Sequence, residues 1–350
     1  LKMALTKNNF YSYITIALLS FVLISSTLFS FDFVSSQSSG TEVSGIITTD
    51  TTWTQANSPY NIIGNVLVNN GVTLTIEPGV TVNLGSYFIQ VNGTLYAFGT
   101  SQNPIIFNEG NIIFTAYSTA WNDDTLSGCI VSYANIFAAT TFFEIRDASP
   151  KISNCTIITT GAAGGGEFDY PPLSVVRGSP IICNNTICAS MNGLGVSLTN
   201  SNSTFVNNTV YSKNPRWPFN PGSGIILSGG FPTVQDNLIV NCRSGIGLSG
   251  GGGLIQNNTI ISGGVGFKII APSAATIIYN NIENYSRYSV ECSYDYNTDS
   301  PPVNMTYNWW GMTDALKINQ SIYDYYDDFT FGIINFAPFL SSPNTAAPTY

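Results

Sequence analysis

The 350-residue chain contains no histidine, which excludes a histidine-based catalytic triad and any metal centre built on imidazole. Charge is scarce as well. There are 11 Lys and Arg against 20 Asp and Glu, only 9% of all residues, for a net charge of −9. An acidic chain without a basic tract has nothing to condense on phosphate, so nucleic acid and anionic membrane surfaces are excluded as partners. The six Cys (Cys129, Cys155, Cys183, Cys188, Cys242, Cys292) have spacings that match no zinc motif. In an oxidising compartment they are compatible with buried thiols and with disulfides alike, and six Cys allow 15 pairings. Helical periodicity is missing after residue 40, except that Thr313 or Asp314 can cap a short helix reaching about Tyr323.

What the sequence does have is a countable repeat. An apolar tetrad recurs as FFEI from Phe142, PLSV from Pro172, GVSL from Gly195 and GIIL from Gly224, then GIGL from Gly245, GFKI from Gly266 and RYSV from Arg287. The steps are 30, 23, 29, 21, 21 and 21 residues. Most tetrads are followed by a second element of the type SPIICNNTI or GLIQNNTI. Short strands with Gly and Asn turns at a period of about 21 residues define a β-solenoid. Positions two and four of a tetrad share a strand face, so Ile225 with Leu227, Ile246 with Leu248 and Phe267 with Ile269 point inward. Position three points outward and reads Glu144, Ser174, Ser197, Ile226, Gly247, Lys268 and Ser289. In the second element, Asn154, Asn184, Asn207, Asp236, Asn257 and Asn280 recur, and stacked amides can hydrogen-bond along the axis. A structural asparagine ladder at a bend is expected there, with Cys155 a small buried filler in the place held by Asn185 and Asn208.

The chain divides into four parts: residues 1–40, 41–305, 306–340 and 341–350. Lys2 and Lys7 precede an 18-residue uncharged run from Ile14 to Phe31, which reads as a secretory signal or, alternatively, an uncleaved membrane anchor. Residues 41–305 form the solenoid, 306–340 a C-terminal cap containing the helix, and 341–350 a loose tail. Export makes the Asn-x-Ser/Thr sites glycan acceptors, with Asn92, Asn202 and Asn284 the most turn-like.

The run Gly71–Leu84, with Val91–Asn103 after it, resembles the opening coils of secreted bacterial and archaeal right-handed parallel β-helix proteins of the pectin-lyase-like class. The Asn-Asn-Thr-Ile repeats and the closing segments YNWWGMTD, IYDYYDD and INFAPFL extend the resemblance over about residues 45–340. It implies an all-β, right-handed parallel β-helix with capped ends, in a group that includes lyases, hydrolases and chains without known chemistry. The Gly-His-Gly motif of polygalacturonase-like relatives is missing here. Their Asp-Asp pair has only Asp123–Asp124 as a counterpart, with different flanking residues.

Two insertions lengthen the repeat: GAAGGGEFDYPP from Gly161 and KNPRWPFNPG from Lys213. Both leave the same edge, and they offer Glu167, Phe168, Asp169, Tyr170, Arg216, Trp217 and Phe219, aromatics and charges suited to stacking on sugars. Asp324, Asp327 and Asp328 could bind Ca²⁺, or be a solvated helix end in the cap. No catalytic residue, cofactor or metal ligand set is assigned. The expected role is a secreted or cell-surface protein that is structural or binds carbohydrate, with a polysaccharide or surface glycan as partner. A polysaccharide lyase or hydrolase at the insertion edge is the alternative.

Overall fold

The computed structural model describes residues 40–138, 140–159, 171–189, 194–212, 223–261, 263–295 and 301–350. The N-terminal apolar run and the charged and aromatic residues of both insertions therefore lie outside the described residues. Among the described residues no helix is long and apolar enough to cross a membrane.

Every strand-to-strand pairing is parallel, and each coil contributes to three rows of strands. The tetrads form the first row: Phe143 pairs with Leu173, which is followed in the same register by Val196, Ile225, Ile246, Phe267, Val290 and Ile322. The second row is a ten-stranded sheet running from Thr51–Trp53 to Thr276–Ile278. The third row runs through Ala134–Ala138, Thr156–Thr159, Thr186–Ala189, Thr209–Ser212, Leu238–Val240, Thr259–Ile261 and Asn281–Glu283. Rows one and three merge into one sheet at the N-terminal end because single long strands serve both. Ile105–Phe114 pairs with the third row through Ile105–Asn108 and with the first through Ile112–Phe114. It bends between them at Glu109 and Gly110, both at φ 59°.

Alternation along each strand produces the core. Val196, Ile225, Ile246 and Phe267 are fully buried, and Val131, Ile152, Ile182, Phe205, Val234, Ile255 and Ile277 line the second row in the same way. Each such side chain contributes about 2–3 kcal/mol on burial, but only because the coils above and below cover it. The first residue of four tetrads is glycine for a steric reason. A Cβ on Gly224 would lie 2.5 Å from the carbonyl oxygen of Gly245, and one on Gly266 2.5 Å from that of Ser289.

The register departs from the sequence reading in the last full coil. Phe267 pairs with Val290 and Lys268 with Glu291, so the tetrad there is SVEC from Ser289 and not RYSV from Arg287. The outward residue is consequently Glu291, not Ser289. It sits beside Lys268, with its carboxylate 3.4 Å from both Lys268 Nζ and Arg287.

The amide ladder is also shifted, by one residue. Asn185, Asn208, Asn237, Asn258, Asn280 and Asn308 are at most 2% exposed. Each Nδ2 except the last donates to the Oδ1 of the next, at 2.9, 3.1, 2.9, 2.9 and 3.0 Å. Each Oδ1 also accepts a backbone N–H from the preceding coil, beginning with Cys155, whose thiol stands where the amide would be. Of the six ladder residues expected from sequence, Asn280 alone lies in this buried column. Asn154, Asn184, Asn207, Asp236 and Asn257 precede it at the bend, face outward and have φ between 52° and 59°. The Asn-x-Thr triplet thus has a structural cause: a left-handed bend, a buried ladder amide, and a β-branched residue opening the third-row strand.

Beyond the last coil, Asp314 caps the helix α1 (Ala315–Gln320) by accepting from the amides of Leu316 and Lys317 at 3.0 and 3.3 Å. Ile318 and Trp310 bury against the open end, and Ile322–Tyr323 adds to the first row. Residues 341–350 are not a loose tail. Asn344 accepts from Asn281 Nδ2 at 3.0 Å through its carbonyl and donates from its own backbone N–H to Asn281 Oδ1 at 2.8 Å. It further donates from Nδ2 to Asn257 Oδ1 at 3.0 Å, and Ala347 is buried.

None of the six Cys forms a disulfide. Burial pushes the thiol of Cys129 up to about 11 and those of Cys155 and Cys242 up to about 12. Iodoacetamide near pH 8 is therefore expected to label the half-buried Cys183 and to spare these three until the chain is denatured. Peptide mass spectrometry of the alkylated native protein checks this; rapid labelling of Cys155 or Cys242 would contradict the packing.

Candidate functional site

Two grooves open on the outer wall near the N-terminal coils. The first is lined by aromatic side chains on the second row. Alternation along Thr94–Phe98 turns Leu95 and Ala97 inward and leaves Tyr96 and Phe98 on the outer face. Their ring centroids are 6.0 Å apart with planes 16° from parallel, and Tyr133 meets Phe98 edge-on at 6.3 Å. Residues 115–129 arch over this face as a long turn. The turn is tied down by Trp121 N–H to the carbonyl of Ser149 at 2.9 Å and by Thr119 N–H to Gly93 at 2.9 Å. Asn122 Oδ1 closes the tip by accepting from the amides of Asp124 and Thr125.

The arch brings Trp121 and Asp123 to Lys151 on the neighbouring coil. Lys151 Nζ lies 2.6 Å from Asp123 Oδ1 and 5.4 Å from the Trp121 ring centre. Asp123 also accepts from Trp121 Nε1 at 2.8 Å. The bonds from Lys151 and Trp121 hold the Asp123 carboxyl below its ordinary range. The resulting groove of about 380 Å³ is lined by Tyr96, Phe98, Trp121, Leu126, Tyr133 and Lys151 and runs on to Asn154 and Asn184. Aromatic faces, two amides and an internally neutralised ion pair suit a ligand with apolar ring faces and hydroxyl edges.

The second groove, about 440 Å³, lies where the third row turns into the first and is lined by Gly85, Ser86, Glu109, Gly110, Asn111, Thr140, Thr141 and Glu144. Asn111 Nδ2 donates to Glu144 Oε1 at 2.9 Å, and Arg146 pairs with the same carboxylate. Both insertions leave the scaffold at this kind of turn, since their flanking strands end the third row and begin the first. Glu167, Phe168, Asp169, Tyr170, Arg216, Trp217 and Phe219 lie outside the described residues.

Glu144 and Lys268 are far apart on the outward face, separated by Ser174, Ser197, Ile226 and Gly247. Asp324, Asp327 and Asp328 spend their oxygens on their own turn. Asp324 accepts from the amides of Tyr326 and Ile334 at 3.0 and 2.9 Å, Asp327 from that of Asp324, and Asp328 from Thr330. Burial raises the Asp324 carboxyl above its ordinary value despite these donors. Among the described residues no group of three or more acidic, Cys or His side chains is placed to hold a metal. Of the turn-like glycan acceptors, Asn202 and Asn284 are exposed, whereas Asn92 Oδ1 accepts from Thr115 Oγ1 at 2.8 Å.

Sequence reasoning missed Tyr96, Phe98, Trp121, Tyr133, Lys151 and Glu109. The alternation TLYAF marks Tyr96 and Phe98 as outward aromatics, and that signal was available. The arch over them was not, because residues 115–129 carry no repeat.

Two family models match the chain: one described as a right handed beta helix region, over residues 173–309, and one described as a pectate-lyase like beta helix domain, over residues 45–131. The chain is a right-handed parallel β-helix protein. Among solved structures, two variants of the periplasmic alginate epimerase AlgG are similar at 14% identity, with TM-scores of 0.35 and 0.32. The likeness covers 80% and 81% of this chain and 75% of theirs. No curated protein matches the chain.

Proposed function

We propose that this is an exported, non-catalytic β-helix protein that binds polysaccharide, with the groove of Tyr96, Phe98, Tyr133 and Trp121 as its contact surface. The observation that carries this reading is the pair of near-parallel rings, Tyr96 and Phe98, on an outer wall with Tyr133 at their edge. A glycan array identifies the bound sugar. The double variant Phe98→Ala with Tyr133→Asn, which retains a residue tolerant of the left-handed bend, then weakens binding about tenfold while the melting temperature moves little. A wild-type protein that binds no glycan leaves a purely structural envelope component.

A second reading, a polysaccharide hydrolase or lyase, is favoured by one feature: Glu109 and Glu144 line the same groove, and glycoside hydrolysis requires two carboxylates on one cleft. Release of reducing or unsaturated ends that Glu144→Gln abolishes would establish it. Both insertions are flanked by strands that end the third row and begin the first, so on this reading replacing Tyr170 and Trp217 by Ala weakens that activity and leaves binding at the aromatic groove intact.

A further inference from the structure

We infer that the aromatic groove is one end of a longer site, in which the outward bend residues form a track for an uncharged linear glycan lying along the solenoid axis. This rests on the polysaccharide-binding reading above. The groove lining already includes Asn154 and Asn184, which are successive members of the bend column. Backbone bonds continue that column from coil to coil: Asn154 N–H to Cys183, Asn184 N–H to Val206, Asn207 N–H to Gln235 and Asp236 N–H to Gln256. Tyr133, Asn154, Asn184, Asn207 and Asp236 are all left-handed, so each side chain is thrown outward at the same angle. Four coil steps at about 4.8 Å give a track of about 19 Å, long enough for several sugar rings in a row.

The fold accounts for a left-handed residue at the bend but not for what these side chains present. Elsewhere the left-handed bends hold Tyr279 and Tyr307, so an amide is not required there. The buried ladder amides are saturated within the core. The outer amides are half-buried or exposed: Asn154 Nδ2 places one donor on Ser132 Oγ at 3.5 Å and Asn207 Nδ2 one on Asn184 Oδ1 at 2.5 Å, and their remaining donor and acceptor positions repeat at a spacing set by the coil. The track has a far end: Asn344 of the docked C-terminal segment donates to Asn257 Oδ1 at 3.0 Å and to the Tyr279 carbonyl at 2.6 Å, closing the column after Asp236. An aromatic platform at one end, amides along the middle and a stop at the other end suit a chain that stacks one ring and hydrogen-bonds the following hydroxyls.

The charge pattern selects among polysaccharides. Lys151, the cation in the groove, is already neutralised by Asp123, the track ends in Asp236, and the whole chain carries −9. Among the described residues of the groove and track no cation besides the paired Lys151 offsets the repulsion that a uronic-acid polymer would meet, so the ligand is an uncharged glycan.

The test measures calorimetric affinities of the full chain for cello- and xylo-oligosaccharides from two to six units, and for an oligouronate of six units. Affinity for the neutral chains rises with length and exceeds that for the oligouronate. In the double variant Asn184→Gly with Asn207→Gly, which keeps the bend, hexasaccharide affinity falls about tenfold while disaccharide affinity stays unchanged. If the double variant binds hexasaccharide like the wild type while Phe98→Ala loses it, the track is refuted and the groove reading survives. Preference for the oligouronate, or a covalent glycan on Asn184 or Asn207 found by mass spectrometry, also overturns the proposal. Binding of no glycan at all removes both readings.

Discussion

Replacing Asn208 by Ala is expected to destabilise the solenoid by roughly 5 kcal/mol, whereas Asn207→Ala, one residue earlier, costs about 1–2 kcal/mol. Asn208 accepts from both the backbone N–H and Nδ2 of Asn185 at 2.9 Å, and it donates to the carbonyl of Ile182 and to Asn237 Oδ1. Truncation leaves two buried donors and a buried carbonyl without partners, each costing about 1–3 kcal/mol, beside a small cavity. Asn207 bonds only at the surface, through Nδ2 to Asn184 Oδ1 at 2.5 Å. Its loss amounts to an alanine held at φ 54°. Urea titration followed by circular dichroism of the two variants gives the comparison. Equal losses, or a larger loss for Asn207→Ala, would contradict the ladder as described. A domain with a typical total stability of about 5–15 kcal/mol would be close to unfolding in the Asn208 variant.

That contrast also shows where the sequence was legible and where it was not. The solenoid and its inward rows are visible because alternation and a 21-residue step are properties of spacing alone. Ile225, Ile246 and Phe267 fall in one row as the spacing requires. The ladder was misplaced by one residue because Asn-Asn pairs offer two amides, and only the backbone bend decides which one turns inward. The last tetrad slipped by two because RYSV and SVEC both alternate, and a longer turn precedes the strand. Asn344 was read as part of a loose tail because its bonding partners, Asn257 and Asn281, are more than sixty residues away in sequence. The aromatic groove depends on the same kind of distant contact, Lys151 meeting Asp123 across 28 positions.

The first-row register makes the second large-effect prediction. Ile246→Asp places a carboxyl between Ile225 and Phe267, in a row where all three native side chains are fully buried. No polar partner lines that row, so the ionised form loses its hydration without compensation, and the variant loses at least about 4 kcal/mol at neutral pH. The introduced group answers by binding a proton, which raises its folded-state pKa above the unfolded value of about 3.9. A raised carboxyl is least damaging below the unfolded pKa, where both states are protonated, and its cost grows as pH rises toward the folded value. The deficit relative to wild type is therefore smaller at pH 3.5 than at pH 7. Ile226→Asp is the control. Ile226 is the next residue along the neighbouring strand, faces outward and is half-buried, so its replacement costs about 1 kcal/mol or less and depends weakly on pH. Thermal melts of both variants at the two pH values decide the matter. An Ile246 variant that melts with the wild type, or an Ile226 variant that suffers the larger loss, would mean that the inward face of this row had been assigned to the wrong side of the strand.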